Sequence, residues 1–260
     1  GHPGGCYQNI SGLFTIPWRG PVKRIHRRLV PQQLSCSAQI KTLEAVVGNG
    51  VDKNAGSGIY FYAEDSLVAP RNISIINCAV EGFHQYGILI GCNQNPSMKG
   101  YEEVTISECT ASGNGEAGIS SYGSVMGYQH KNFRVEHCKA YNNRGILTKK
   151  ENHSGNGIVM GEVDGLVIEY CEAYENGADN RCDAGGPVGI WVWMCKNAVI
   201  QYCISHDNHT GSTKDGGGFD IDGGSSDCVL QFNYSYNNEG AGYLLAEYGA
   251  VFPFTNNTIR

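Results

Sequence analysis

The sequence predicts an all-β protein of the single-stranded, right-handed parallel β-helix class, a solenoid of about six or seven coils. Three observations indicate this fold: a unit that recurs every 29–33 residues, apolar residues spaced by two within each unit, and 36 glycines among 260 residues. Spacing by two is typical of strands, because alternate side chains face opposite sides. Frequent glycines suit the tight turns that join short strands.

Each unit is organised around one central position. An aliphatic residue stands three positions before the centre, and a small residue, usually alanine or serine, stands two positions after it. Stacking at the strand–strand distance of ~4.8 Å places equivalent residues in rows through the core. We therefore expect the central cysteines to act as small buried apolar side chains. The central residues are Cys78, Cys109, Cys138, Cys171, Cys203 and Asn233.

Two further rows follow each centre. Asparagine stands five positions later in all units but the first, which predicts a ladder of side-chain amides at an inward turn. Aromatic residues three positions after the centre predict a stacked ring row. The asparagines are Asn114, Asn143, Asn176, Asn208 and Asn238, and the ring row is Tyr141, Tyr174, His206 and Tyr236.

The pattern Ile-x-x-Cys-x-Ala-x-x-Asn, followed by Gly-Ile, resembles that of the pectate-lyase-like parallel β-helix superfamily over residues 55–260. The resemblance implies a carbohydrate-active protein, because this superfamily includes polysaccharide lyases, glycoside hydrolases, epimerases and phage adhesins. Its polygalacturonase-like members carry their aspartates on coil strands in a cleft. The Asn-x-Asp, Gly-His-Gly and Arg-x-Lys signatures of those members do not occur here, so polygalacturonase itself is not indicated.

The two ends of the chain differ from the repeat. Residues 1–50 do not fit it and are interpreted as an irregular N-terminal cap, with a basic amphipathic helix predicted in the stretch 22–34, up to Pro31. Residues 51–260 are assigned to the β-helix. Residues 253–260 read as the start of another coil, so we expect the natural protein to continue beyond Arg260.

Net charge and hydropathy exclude two classes of binding partner. A net charge of −6 argues against nucleic acid, whose recognition needs a basic surface. No apolar run reaches the ~20 residues that span a bilayer, which argues against a membrane protein. No signal peptide is visible in residues 1–5. The expected protein is secreted or lies at the cell surface or in the periplasm, with a polysaccharide or oligosaccharide as its partner.

Three consecutive coils carry polar insertions at one corner, over 144–156, 177–188 and 209–217. Insertions on a solenoid collect on one face, which is often the binding face. The alternative is that long turns of a repeat protein drift freely. The insertion residues predicted to bind substrate are Arg181, Asp183, His209 and Lys214, whereas Cys182 is interpreted as incidental.

The strands that follow these insertions place their second and fourth residues outward. This pattern puts Trp191 and Trp193 beside Asp220 and Asp222, one coil further on. Carboxylates at positions i and i+2 on the same face of a strand lie about 6.5–7 Å apart. This distance is at the lower limit of the ~6.5–9.5 Å that separates the two catalytic carboxyls of inverting glycosidases. We therefore predict a glycoside hydrolase in which one aspartate is the acid and the other activates water. Glu247, one coil later, could replace either.

Two other functions remain open. A Ca²⁺-dependent lyase acting on a uronate polymer could use Asp215, Asp220, Asp222 and Asp227 as oxygen ligands, with Arg181 or Lys214 as its base. A non-catalytic glycan-binding or adhesin module could use the same aromatic residues. The hydrolase needs no cofactor. The acidic pair could also be only a solvated strand face or a structural Ca²⁺ site.

Overall fold

The structure is a computed structural model that describes residues 9–10, 38–64 and 67–260. The helix predicted over 22–34 lies outside these residues. Within them, regular structure consists of twenty-one strands and one 3-10 helix, Val51–Lys53. The strands are β1 (Asn9–Ile10), β2 (Ala38–Val47), β3 (Ile59–Ala63), β4 (Arg71–Glu81), β5 (Tyr86–Cys92), β6 (Glu102–Ser107), β7 (Thr110–Ser112), β8 (Ala117–Tyr122), β9 (His130–Glu136), β10 (Lys139–Tyr141), β11 (Asn156–Gly161), β12 (Val163–Glu169), β13 (Glu172–Tyr174), β14 (Val188–Trp193), β15 (Lys196–Gln201), β16 (Ile204–His206), β17 (Gly217–Asp222), β18 (Val229–Gln231), β19 (Tyr234–Tyr236), β20 (Tyr243–Ala246) and β21 (Thr258–Ile259).

The strands stack in parallel to form a solenoid of about seven turns. One side is a seven-stranded sheet in the order β20-β17-β14-β11-β8-β5-β3. The remaining strands form a 14-stranded sheet that covers two further sides, because the long strand β4 pairs with both β6 and β7. The predicted parallel β-helix is therefore confirmed.

Equivalent positions of the repeat meet in register. Ile168 pairs with Ile200, and Ala140 pairs with Ala173. The inward side chains of all three sides form one buried core. All nine cysteines in the described ranges are buried and free of disulfides, as their place in apolar rows predicts.

The row of asparagines is linked from coil to coil by side-chain hydrogen bonds. Asn114 Nδ2 donates to Asn143 Oδ1 at 3.0 Å, and Asn143 Nδ2 donates to Asn176 Oδ1 at 3.0 Å. The series continues to Asn208 at 2.9 Å and to Asn238 at 2.8 Å. Because each buried amide has fixed partners, the corner from which the insertions depart is rigid.

The predicted ring row is also present. Tyr141 and Tyr174 stack at 5.0 Å between ring centroids, Tyr174 and His206 at 5.1 Å, and His206 and Tyr236 at 4.5 Å. His206 is therefore a member of this row, as its spacing predicts.

A second row of stacked rings was not predicted from the sequence. Tyr170, Tyr202 and Phe232 stand one position before the centre of their units, and their rings stack at 5.2 and 5.3 Å. Their φ angles of 52–55° mark the turn between two strand segments, so the side chains point outward and remain exposed.

The solenoid begins earlier than the sequence predicts. The repeat pattern predicts an irregular cap up to residue 50. In the structure, strand β2 already pairs with β4, with Ile40 opposite Ile75 and Leu43 opposite Cys78. The repeat pattern misses this coil for two reasons. Its central position is leucine instead of cysteine, and a register shift lies between Leu43 and Val46. The assignment is therefore wrong for residues 38–47.

Candidate active site

The seven-stranded sheet presents the predicted site residues on its outer face. Ile190 and Val192 point into the core, and Trp191 pairs in register with Asp220 on the next strand. Alternation then places Trp193 and Asp222 on the same outer face. Asp220 and Asp222, which we call the acid pair, therefore share one strip of surface, as the strand pattern predicts.

Asp220 is the more buried member of the acid pair, with 4% of its surface exposed. Its Oδ1 has no hydrogen-bond partner. Burial raises its pKa to about 9, and the neighbouring carboxylates of Asp222 and Asp215 contribute further. Asp220 is therefore protonated at neutral pH.

Asp222 is half-buried and differs in its surroundings. Burial raises its pKa to about 6, and Asp215 and Glu247 raise it further. The backbone N–H of Gly223 opposes this shift, because it donates to Asp222 Oδ1 at 2.8 Å and stabilises the charged form. Asp222 is therefore largely ionised at neutral pH, so the two carboxyls differ in charge.

Glu247 lies in the loop after β20 and is exposed. Its Oε1 accepts the N–H groups of Gly249 at 2.5 Å and Ala250 at 3.2 Å. Its influence on the pKa of Asp222 places it near the acid pair. Its exposure makes it a weaker candidate for the proton donor than Asp220.

The three insertions (144–156, 177–188 and 209–217) pack into one continuous structure, the insertion wall. Asn180, which is fully buried, joins them: its Nδ2 donates to Thr210 O at 3.1 Å, and its Oδ1 accepts from Ser154 N at 3.2 Å. Asp215 Oδ2 accepts from Gly186 N at 2.7 Å, which links the second and third insertions. Shared buried contacts distinguish this wall from turns that drift independently.

Trp191 does not form the exposed surface predicted for it. It points away from the core but is only 5% exposed, because the first insertion covers it. Its Nε1 donates to Asn156 Oδ1 at 3.0 Å, and the ring of His153 lies 5.4 Å away. Burial lowers the pKa of His153 to about 4, so this histidine is neutral. Trp191 supports the wall, and Trp193, which is half-buried, is the tryptophan that reaches the surface.

The other predicted substrate-binding residues lie in the insertion wall or at its edge. Arg181 Nη1 donates to Asn180 O at 2.7 Å and to Gly211 O at 2.8 Å, and His209 Nδ1 lies 2.9 Å from Glu239 Oε1. Asp183 and Lys214 are exposed, and Asp183 Oδ1 accepts from Thr213 Oγ1 at 3.4 Å. The hydrogen bonds of Arg181 and His209 therefore stabilise loops, and none of these bonds joins them to the acid pair.

The four aspartates proposed as Ca²⁺ ligands are not assembled in one cluster. In the part of the chain that the structure describes, no three His, Cys, Asp or Glu side chains are grouped as metal ligands. Asp227 instead accepts from Asn256 Nδ2 at 3.1 Å. The charge of Asp215 raises the pKa values of Asp220 and Asp222, but the three side chains form no preassembled cation site.

Two further residues were missed from the sequence: Tyr248, which lies near Asp222, and Glu162, which lies near Tyr248. Glu162 is fully buried, and its Oε1 accepts the N–H groups of Gly123 and Val125, both at 2.9 Å. Tyr248 lies against Gly223, and partial burial of its ring, followed by the charge of Asp222, raises its pKa to about 12. Both residues stand outside the strand repeat, so no spacing could assign them to the site.

A concavity of about 870 Å³ lies on a different side of the solenoid. It is lined by residues of the 14-stranded sheet that include Ser74, Thr105 and Arg134. None of the predicted site residues lines it, so it is separate from the acid pair. Among the described residues no helix is long and apolar enough to cross a membrane.

The protein is a β-solenoid, because its strands stack in parallel coils. The acid pair lies on one outer strip of this solenoid. The chain belongs to the right-handed β-helix family, because a family model described as "Right handed beta helix region" matches residues 57–259. This match also confirms the predicted handedness. No curated protein matches the sequence.

Two solved structures resemble the chain. The GH136 lacto-N-biosidase from Eubacterium ramulus is 18% identical with a TM-score of 0.63, over 85% of this chain and 41% of that one. The enzymatically active domain of tailspike protein 2 of bacteriophage CBA120 is 16% identical with a TM-score of 0.47, over 86% of this chain and 34% of that one. This chain thus spans about two fifths of the length of the lacto-N-biosidase. At this identity the similarity shows the fold.

Proposed function

We propose that the protein is a glycoside hydrolase that cleaves a polysaccharide on the outer face of the seven-stranded sheet. The observation that carries this proposal is the difference in surroundings within the acid pair: Asp220 is 4% exposed and its Oδ1 has no hydrogen-bond partner, whereas Asp222 is half-buried and accepts the N–H of Gly223. These surroundings place the pKa of Asp220 at about 9 and that of Asp222 at about 6. Two nearby carboxyls whose environments separate their pKa values are the usual acid and base of glycosidic cleavage.

The proposed reaction is a single displacement at the anomeric carbon. Asp220 gives its proton to the glycosidic oxygen as the bond to the anomeric carbon breaks. Asp222 takes a proton from the water whose oxygen forms the new bond to that carbon. The aspartates exchange charge in this step, and proton transfer through solvent restores them. Separation of about 6.5–7 Å between positions i and i+2 leaves room for this water and favours inversion.

A glycan substrate fits two further observations. Trp193 supplies an aromatic surface next to the acid pair, and the insertion wall borders the strands that carry it. A lacto-N-biosidase shares the fold. Polysaccharides are mostly extracellular, so we place this activity outside the cell.

The proposal is tested by measuring reducing ends released from a panel of polysaccharides. Asp220→Asn and Asp222→Asn should each lower kcat about 10²–10⁴-fold, while Glu247→Gln should have a smaller effect. Asp52→Asn, a change at an exposed position in the 3-10 helix Val51–Lys53, is the matched control. The anomeric configuration of the first product, followed by NMR, should be inverted.

Other outcomes identify the alternatives. Binding of a glycan without turnover of any member of the panel would reject the hydrolase in favour of a non-catalytic module. An unsaturated product with ultraviolet absorbance, whose formation stops when a chelator is added, would identify a Ca²⁺-dependent lyase. Retained configuration would keep the hydrolase but assign Asp222 or Glu247 as a nucleophile.

A further inference from the structure

One outward row of the seven-stranded sheet alternates aromatic residues and glycines in successive coils. Tyr62 pairs in register with Gly91, and Gly91 pairs with Tyr122. Gly161 and Trp193 occupy the same row further along and also pair with each other. From Tyr62 to Trp193, every second coil therefore carries a large ring and the coil between carries no side chain. Asp222 and Ala246 continue the row in the next two coils.

Each ring occupies the space above the glycine of the preceding coil. A β-carbon at Gly91 would lie 2.6 Å from Cε1 and Cζ of Tyr122, and one at Gly161 would overlap the indole of Trp193. A β-carbon at Gly223 would likewise lie 2.5 Å from Cε1 of Tyr248. These glycines let the rings lie along the sheet, since any larger residue would displace them.

Tyr122, Trp193 and Tyr248 together form a surface that we call the aromatic strip. Two strand spacings, about 9.6 Å, separate β8 with Tyr122 from β14 with Trp193. Tyr248 follows β20, which lies two strands beyond β14. Tyr122 and Trp193 are half-buried, and Tyr248 is 58% exposed. The ring of Tyr122 packs over Gly91, and its hydroxyl lies 2.5 Å from that of Tyr60. The strip is therefore an ordered surface open to solvent.

The acid pair lies within this strip rather than at its end. Asp222 belongs to β17, which stands between β14, the strand of Trp193, and β20, the strand before Tyr248. A chain bound along the strip would consequently have sugar rings on both sides of the bond near the acid pair. Such a position suits cleavage within a chain better than removal of a terminal unit.

The negative charge around the acid pair favours a neutral glycan over a charged one. Three carboxylates lie close to the acid pair or within it: Asp215 and Asp222 raise the pKa of Asp220, and Asp215 and Glu247 raise the pKa of Asp222. A uronate carboxylate placed among them would be repelled. Aromatic rings instead bind the apolar faces of uncharged pyranose rings, which bury apolar surface without needing a counter-charge.

We propose that the aromatic strip binds an extended, neutral, linear glycan that runs along the solenoid axis, with aromatic contacts at intervals of about one disaccharide, so that the enzyme cleaves internal bonds. This inference rests on the proposed function for the cleavage step. The binding step is independent of catalysis. Tyr122 is then a distal binding residue that acts only on chains long enough to reach it.

The test measures binding in the Asp222→Asn background, where turnover does not interfere. The probes are cello-, manno-, xylo- and chito-oligosaccharides from disaccharide to hexasaccharide, with oligogalacturonides as the charged series. We expect affinity for one neutral series to rise with length. Tyr122→Ala should lower affinity for its hexasaccharide about tenfold, as expected for one aromatic contact, and leave the disaccharide unchanged.

Two variants control for indirect effects. Tyr122→Phe keeps the ring and loses the contact with Tyr60, so it should retain the affinity of the parent. Tyr202→Ala removes an exposed ring from the second ring row on another side of the solenoid and should have no effect. With the matching polymer, active protein should lower viscosity much faster than it releases reducing ends.

The experiments distinguish an error in this inference from an error in the proposed hydrolase function. Length-independent affinity, equal weakening of short and long chains by Tyr122→Ala, or no binding of any neutral series would overturn the aromatic strip. Preference for the oligogalacturonides would also overturn it. Length-dependent binding of a neutral series without hydrolysis of its polymer would reject the enzyme and retain the strip.

Discussion

Replacing Asp220 by asparagine should make the stability of the protein less sensitive to rising pH. Burial raises the pKa of Asp220 from 3.8 to about 9. Between these values the folded protein holds a proton that the unfolded chain releases. The wild type is therefore most stable with respect to this group below its unfolded pKa, and it loses stability as the pH rises towards the folded pKa. Asparagine has no such proton.

The magnitude follows from proton linkage. Within this window each pH unit is worth about 1.4 kcal/mol for one proton. From pKa 3.8 to pH 7 the interval is about 3 units, so the buried carboxyl costs the wild type up to about 4 kcal/mol at pH 7. The unpaired amide of the variant lowers its unfolding free energy by an amount that does not change with pH. The ionisation of Asp220 is therefore read from the slope of unfolding free energy against pH.

Urea denaturation between about pH 5 and about pH 8 measures this slope. The unfolding free energy of the variant minus that of the wild type should rise by about 1.4 kcal/mol per pH unit. Asp183→Asn, at an exposed position, should give a difference that stays constant. A constant difference for Asp220→Asn as well would mean that Asp220 is ionised in the folded protein, and the proposed proton donor would be lost.

Hydrolysis should show a bell-shaped pH profile, with kcat/KM falling below about pH 6 as Asp222 gains a proton and above about pH 9 as Asp220 loses one; maximal activity near about pH 4 would contradict these roles. Gly161→Ala places a β-carbon against the indole of Trp193, so unfolding free energy should fall by about 1–3 kcal/mol and tryptophan emission should shift. An unchanged spectrum would show that the ring lies elsewhere. Asn176→Ala removes four buried side-chain hydrogen bonds and should cost about 3 kcal/mol or more. A loss below about 1 kcal/mol in urea denaturation would show that this asparagine is dispensable.

Much of the fold could be predicted because the information is local and repeated. Cys138 and Cys171 recur at one position of successive units, and the alternation around them states which side chains face inward. Strand β2 escaped detection because Leu43 replaces cysteine and a register shift interrupts its spacing. A periodic pattern therefore predicts coils that keep the period and misses a coil that departs from it.

The candidate site could be predicted in part for the same reason. Strand alternation places Trp191 and Asp220 on the outer face, and the structure agrees. Alternation gives no information about what covers that face. The ring of His153 and the amide of Asn156 bury Trp191, although both precede it by more than thirty residues.

The sequence by itself determined the coil, the inward and outward faces, and the strip on which the carboxyls stand, since each depends on spacing along the chain. Only the tertiary structure decided which outward residues are buried, how the carboxyls differ in charge, and which rings lie beside them. Packing of distant loops sets the desolvation of Asp220, and a glycine in the coil before sets the position of Trp193. Neither effect is encoded in the repeat, because both depend on contacts between coils.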